Sequence, residues 1–423
     1  MGLGNIWRFP YIAGENGGAA FILVYVVLSF LIAVPIMLSE FAIGRRAQRG
    51  VLGAYNRLAP RSAWQGAGYL GVLSSLVILS FYAVIAGWAL KFLQLSLFNG
   101  FSAHSSEQIS GMFHAFVATG WQPLAWTLLF IAVTALIVLL GVEKGIERIN
   151  KVLMPMIVLI LIGLALNGFT LEGAREGISF LLRPDFSKID GHVLLQAMGQ
   201  SFFSLSLGMG TMITYGSYIP RQADMFTLAG TVAISDVIVA VLSGLAIFPA
   251  VFSFGISPTS GPELVFITLP NLFVRMTGGY FLSVVFFFLL FMAAVTSSVS
   301  LMEVMAVYIS EELRLRRRTA TAIAALVVSG TASLCLFSQM PDSQLRVLGG
   351  NIFDLFNDMS SNVMLPLGGL LTVLFAGWFV PDAVFRNEIT SGGRYGPRLY
   401  PQLRFIVRYI APVVIVMLFF SLF

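Results

Sequence analysis

The stretch "GLGNIWRFPYIAGENGG" spans residues 2–18 and runs directly into "AAFILVYVVLSFLIAVPIML" (19–38). The second run has the length and apolarity of a membrane-spanning helix, which needs about 20 such residues. The first run is stranger, because it places glycines, an asparagine and an arginine where a helix should simply enter lipid. A charge there is costly unless it has a task. The rest of the 423-residue chain agrees with a membrane reading. It is 57% hydrophobic and 11% charged, with mean hydropathy +0.88, whereas soluble domains carry about 25% charged residues. The apolar runs are continuous, not alternating as in a β-barrel. The class is an all-α integral membrane protein.

Eleven apolar segments are expected: 3–13, 19–44, 66–98, 121–141, 150–168, 192–219, 226–255, 279–310, 319–338, 346–378 and 402–423. No basic n-region with a small-residue cleavage site precedes them, so no cleavable signal peptide is expected. Taking the loop after the second segment as cytoplasmic puts eighteen Lys and Arg on that side, among them Arg45, Arg46, Lys144, Arg148, Lys151, Arg314, Arg394 and Arg408. Five lie on the other side: Arg175, Arg183, Lys188, Arg275 and Arg346. The asymmetry orients the chain and puts the C-terminus outside. The net charge of +5 therefore reflects loop placement, not nucleic-acid binding.

Two segments are interrupted, at "GLGN" (2–5) and within "SLSLGMGTMITYGSY" (204–218). They lie five spans apart and so cross in opposite directions. Interrupted helices at matching positions of two halves point to an inverted repeat with a site at the bilayer midplane. The expected organisation is one transporter domain over 1–423, with a first repeat at 1–168, an inverted second repeat at 192–378 and an extra helix at 402–423.

Ionisable residues inside segments are functional candidates. They are Arg8, Glu40, Lys91, Asp236 and Glu303. Lys91 can snorkel near a helix end, and Glu40, one turn before "GRR", can pair with those arginines. Asp236 has no basic neighbour in sequence and needs a cation, a proton or a distant partner. Thr296, Ser297 and Ser298 either bond their own helix backbone or offer oxygens to a small hard cation. His104, His114 and His192 are scattered, and the single Cys335 cannot form an intrachain disulfide. Walker, HExxH and GxSxG motifs are missing, so an enzyme is not expected, and no filter motif suggests a channel.

"GLGNIWRFPYIAGENGGAAF" resembles the first-helix signature of the neurotransmitter:sodium symporter family, whose best-known bacterial member is LeuT. "FYAVIAGW" (81–88) resembles its third helix, "GQSFFSLSLGMGTMITYGSY" (199–218) its sixth and "AAVTSSVSLMEV" (293–304) its eighth. Ending after the eleventh segment resembles the bacterial eleven-helix branch. The resemblance implies a LeuT-like 5+5 inverted repeat with broken helices 1 and 6. It implies a multi-pass protein of a bacterial inner (plasma) membrane, its partners Na⁺, an amino acid and the lipid bilayer, with no nucleic acid.

The implied function is Na⁺-coupled symport of an amino acid by alternating access. A first sodium site would use Asn5, Ser204 and Asp236. Anchoring on "SGLAIFP" (243–249) places Asp236 there, while a one-residue shift would place Ser235. The fixed negative charge of Asp236 would make chloride unnecessary, and no other cofactor is implied. A second sodium site would use the Ala293 carbonyl, Thr296 and Ser297, with first-helix ligands at and before Met1. Substrate would contact Leu3, Gly4, Ile78, Tyr82, Phe203, Ser204, Ser206, Met209, Ser298 and Leu301.

Tyr82 over Phe203 would form the outer gate, with Arg8 facing an acid in helix ten. Asn357 stands at the usual acid position and Asp358 follows it; Asp358 is taken for that acid. Glu311 would serve the inner gate. Where monoamine transporters carry an Asp for the substrate amine, this chain has Gly2, which leaves room for a carboxylate. The apolar lining of Ile78, Phe203, Met209 and Leu301 then implies a hydrophobic or aromatic L-amino acid. The resemblance also places residue 1 inside the first helix. Met1 stands where Val is common, so either a mis-assigned start or a true truncation is expected. The truncated case would be a transport-inactive amino-acid-binding membrane protein.

Overall fold

The computed structural model of the protein describes residues 2–102, 104–140, 145–259, 261, 264–340, 343–347 and 349–420, with side chains except at 106 and 145–153. Met1, with its expected sodium ligand, and Lys144 lie outside the described residues, as do the side chains of Arg148 and Lys151.

Among the described residues, eleven main helical segments follow one another along the chain. α1 is a π-turn, Gly4–Arg8, continuing as Phe9–Glu15. Then come α2 (Ala19–Ala47), α3 (Gln65–Leu97), α4 (Trp121–Leu140) and α5 (Gly145–Gly168). α6 is in two pieces, Gly191–Ser204 and Thr211–Gly216. α7 (Met225–Ser253), α8 (Gly279–Glu312), α9 (Arg317–Ser338), α10 (Ile352–Phe379) and α11 (Tyr400–Phe420) complete the set. Eight of the eleven, all but α1, α5 and α6, are single helices long and apolar enough to cross a membrane among the described residues. The tenth begins later than expected. Residues from Arg346 form a small antiparallel hairpin, Arg346–Val347 with Gly350–Asn351, and Asn351 then caps α10 by accepting the Asp354 N–H at 2.7 Å. Short helices also occupy the connections, among them Val51–Leu58, Ala174–Leu182, Leu264–Arg275 and Asp382–Ile389.

Each of the first four segments packs against its counterpart five segments on: α1 with α6, α2 with α7, α3 with α8 and α4 with α9. α3 is the most enclosed, with 78% of its apolar window buried, whereas α4 and α11, at 33%, turn most of their surface outward. Large apolar side chains such as Leu23, Phe30, Leu139 and Phe420 lie exposed on that outward surface. In lipid this costs nothing, because the tails are as apolar as the side chains.

The break in α6 is where backbone geometry decides the architecture. Ser206, Gly208 and Gly210 have φ of 56°, 74° and 79°. A Cβ on Gly208 would lie 2.2 Å from the Leu365 carbonyl oxygen, so only glycine fits. Unwound backbone at membrane depth must find partners inside the protein. Glu40 accepts the Gly208 N–H at 2.8 Å, and Ser75 donates to the Met209 carbonyl at 2.8 Å. Glu40 thus holds the break open and does not pair with "GRR". Those arginines find Glu388 instead: Arg45 Nε lies 3.0 Å from it and Arg46 3.7 Å.

Candidate functional site

The π-turn of α1 releases carbonyls from the regular helical ladder, and neighbours take them. Ser243 donates to the Asn5 carbonyl at 2.6 Å, and Gln200 Nε2 donates to that of Gly4 at 3.2 Å. This fixes Asn5 beside α7. Its amide donates to the Asp236 carboxylate and to the Asp236 carbonyl, both at 2.8 Å. Ser204, the last residue before the α6 break, donates to Asp236 at 2.7 Å and lies 3.0 Å from Asn5 Oδ1. Tyr25 of α2 donates to Asp236 Oδ2 at 2.7 Å. Asp236 is buried, and among the described residues no Lys or Arg pairs with it. The outcome is a compact oxygen cluster, Asn5 Oδ1, Ser204 Oγ and the Asp236 carboxylate, drawn from three segments around one uncompensated charge. Such a hard-oxygen set suits a small cation. Ser235, the one-residue alternative, instead lines the adjacent cavity.

That cavity measures about 410 Å³. Its wall includes Gly4, Asn5, Ile78, Tyr82, Phe203, Ser204, Ser206, Met209 and Leu301. It continues past Thr211, Tyr215, Thr231 and Ser300, toward the end bearing the arginine-rich loops. Gly4 is needed for closeness, since a Cβ there would meet the Phe203 ring at 3.1 Å. The buried Tyr82 hydroxyl lies near Ser297 and the Leu3 backbone but makes a hydrogen bond of normal geometry with neither. Among the described residues, no acidic side chain appears in the lining.

Two expected contacts fall elsewhere. Leu3 is fully buried but does not reach the cavity wall. Ser298 points away: its hydroxyl lies 2.9 Å from that of Thr134 on α4 and donates to the Val295 carbonyl at 2.9 Å. Its neighbours Thr296 and Ser297 do line the cavity. One residue along a helix turns the side chain by about 100°, which separates Ser297 from Ser298. Thr296 donates to the Ala293 carbonyl at 2.9 Å, so these two oxygens are already adjacent. Gly2 abuts them, and a Cβ there would lie 2.5 Å from Ser297 Oγ.

Above the cavity sits the cap. Arg8 is fully buried, its guanidinium 5.0 Å from the Phe203 ring centroid. It donates to Gln200, and its Nε donates to Asn357 Oδ1 at 3.3 Å. Asp358, the acid expected to face Arg8, lies on the vestibule side of the cap within the electrostatic reach of Arg8 but without a direct ion pair to it, while Asn357 is buried and also donates to the Tyr11 hydroxyl at 3.1 Å. Gln200 had no signal of its own beyond standing one turn before Ser204. Beyond the cap opens a wider vestibule of about 910 Å³, whose wall includes Glu15, Lys188, Asp190, His192, Asn357 and Asp358.

Three further candidates lie off the cavity. Glu311, half-buried at the end of α8, faces Gly53 of the Val51–Leu58 helix and Gly50 just before it. Glu303 pairs with Arg317 at 2.7 Å. Lys91 donates to Gln94 at 2.8 Å near a helix end and lies 6.0 Å from the Trp126 ring.

This arrangement has relatives. The sequence model of the sodium:neurotransmitter symporter family matches residues 1–110 and 106–423. An uncharacterized sodium-dependent transporter of Bacillus subtilis, YhdH, is 37% identical over 422 residues, covering 100% of this chain and 94% of its own length. The sodium-dependent dopamine transporter of Bos taurus is 28% identical, covering 95% of this chain and 64% of its own. The crystal structure of MhsT in complex with L-phenylalanine superposes with a TM-score of 0.96 at 42% identity, covering 100% of this chain and 96% of that one.

Proposed function

Because the chain belongs to the sodium:neurotransmitter symporter family, and is thus a sodium-dependent multi-pass membrane transporter with a LeuT-like fold and not an enzyme, we propose that its cargo is a hydrophobic or aromatic L-amino acid. The observation that carries this is the lining of the 410 Å³ cavity. One end offers Asn5, Ser204, Tyr82 and the N-terminal turn of α1, where helix amides favour a carboxylate. The other offers Ile78, Met209 and Leu301 for an apolar side chain. Among the described residues, no carboxylate in the wall compensates a charged side chain or an amine lacking its own acid group. MhsT, whose structure holds L-phenylalanine, is 42% identical.

Na⁺ is the co-substrate in this account. One ion sits among Asn5, Ser204 and Asp236 and gathers α1, α6 and α7 around the cargo carboxylate. A second sits by the Ala293 carbonyl, Thr296 and Ser297, where α8 meets the start of α1. The formal charge of Asp236 replaces a chloride. Alternating access follows from the packing: α1, α2, α6 and α7 form one group, α3, α4, α8 and α9 the other, and the cavity lies between them. Rocking of one group on the other, with Arg8, Tyr82 and Phe203 closing outward and Glu311 inward, exposes the site to each side in turn.

Competition binding with purified protein and amino acids from glycine to tryptophan, with and without Na⁺, tests this. Apolar and aromatic amino acids should compete best, and only with Na⁺. Charged amino acids competing best would overturn the cargo assignment.

A further inference from the structure

A second built feature lies at the opposite rim, where α10 ends and α11 begins. Each helix carries a π-turn there, Phe375–Phe379 in α10 and Ile406–Ile410 in α11, and the two turns pack against each other. π-turns are rare and cluster at functional sites. The helices touch closely, since a Cβ on Gly377 would lie 3.2 Å from Arg408 Cα. Trp378 Nε1 donates to the Arg408 carbonyl at 3.0 Å, which fixes the indole. The Arg408 guanidinium then lies 4.3 Å from the Trp378 ring centroid and 5.7 Å from that of Tyr409.

Arg408 has no acid. Its Nε is buried without a partner, and no salt bridge reaches it among the described residues. The nearby acid is engaged: Asp382 lies 3.1 Å from Arg404 and accepts from the Tyr400 hydroxyl at 2.6 Å. Arg404 is tied further to the Ala376 carbonyl at 2.6 Å. Arg408 sits eight residues into α11, roughly 12 Å along its axis, where a bare charge facing lipid is unfavourable. Around it Trp378, Tyr409 and, stacked against Tyr409, Phe405 are exposed, as aromatic residues are at a headgroup interface. The loop before α11 adds the exposed Arg394 and Arg398.

We propose that this rim binds an anionic phospholipid, with Arg408 taking the headgroup phosphate and the aromatic residues flanking its glycerol and upper acyl chains. A planar guanidinium suits a phosphate, and the side chain snorkels along Trp378 to reach it.

The test is native mass spectrometry of the purified full chain offered equal amounts of phosphatidylglycerol and phosphatidylcholine. Wild type should retain phosphatidylglycerol preferentially. Arg408→Gln should weaken that retention roughly fivefold, the fold-change equivalent to about 1 kcal/mol for one basic residue near a charged surface. Arg408→Lys should fall between, and Arg394→Gln, which removes the same charge from the exposed loop, should change little. If Arg408→Gln fails to fold, as judged by Na⁺-dependent amino acid binding, Trp378→Leu should lower retention at the same rim with every charge kept. The proposal is overturned if retention is equal in wild type and Arg408→Gln. It is equally overturned if Arg394→Gln weakens retention as much, which would mean bulk attraction, or if inorganic phosphate alone displaces the lipid, which would mean a free-anion site.

Discussion

Asp236→Asn separates charge from shape at the proposed first sodium site. The carboxylate is buried and accepts from Tyr25, Ser204 and Asn5 at 2.7 to 2.8 Å. An Asn amide fills the same volume. With its oxygen toward Asn5, its NH₂ faces Tyr25, whose hydroxyl can turn to accept. The fold should therefore survive, and thermal unfolding should shift little. The cation is another matter. Removing one partner of a buried charge interaction typically costs 2–5 kcal/mol. Because the Asn carbonyl still supplies an oxygen, the lower end is expected: about 2 kcal/mol, or roughly a thirtyfold rise in the Na⁺ concentration for half-maximal binding. The assay is Na⁺ titration of radiolabelled amino acid binding, in chloride and in gluconate. Wild type should be indifferent to the anion, and Asp236→Ser should need chloride or fail. An unchanged Na⁺ titration in Asp236→Asn, or wild-type binding that collapses in gluconate, would refute the reasoning.

Thr296→Ala and Ser297→Ala should each raise the half-maximal Na⁺ concentration by more than threefold, about 0.7 kcal/mol, whereas Ser298→Ala, turned toward Thr134, should leave the titration unmoved; a null result in the first two ends the second-site assignment. Met209→Ala should cost apolar cargoes about 1–3 kcal/mol of affinity and alanine much less, read by competition binding; equal loss for all would place Met209 outside the side-chain pocket. Glu388→Gln strands the buried Arg45 guanidinium, which also reaches Ser391 at 3.2 Å and the Pro220 carbonyl at 3.4 Å. It should lower stability by about 3–5 kcal/mol in thermal unfolding, with substrate affinity in the surviving folded protein unchanged.

The membrane segments were legible because lipid forces long apolar runs, and the break in α6 because glycines and hydroxyls interrupt one such run. The residues that gather at Asp236 were legible through the family motif, not through spacing. Asn5 and Asp236 stand 231 residues apart, and no local pattern joins them. Partner choice between distant segments is where reading along the chain gives out. Glu40 looked poised for the nearby arginines, yet it serves a backbone N–H 168 residues away, and Arg45 finds an acid 343 residues away. Facing within a helix fails for a different reason. Asn357 and Asp358, like Ser297 and Ser298, are adjacent polar residues separated by one helical step, and only the packing of α1 and α4 decides which of each pair looks inward. The hairpin before α10 did carry a turn signal, the Gly349-Gly350-Asn351 run with Gly349 at φ 85°, since such residues mark turns, but it opens an otherwise apolar stretch that reads as one segment, whereas the paired π-turns of α10 and α11 had no signal in composition.

If Na⁺ entry drives uptake of an apolar amino acid, accumulation must follow the Na⁺ gradient. Full-chain protein reconstituted into liposomes, loaded with K⁺ buffer and diluted into Na⁺ gluconate, gives the direct measurement with radiolabelled L-phenylalanine. Transient accumulation above the equilibrium level is expected, present without chloride, abolished when Na⁺ is equal on both sides, and lost in Asp236→Asn at moderate Na⁺. Phenylalanine that only equilibrates across the bilayer, or that binds without entering the lumen, would contradict it.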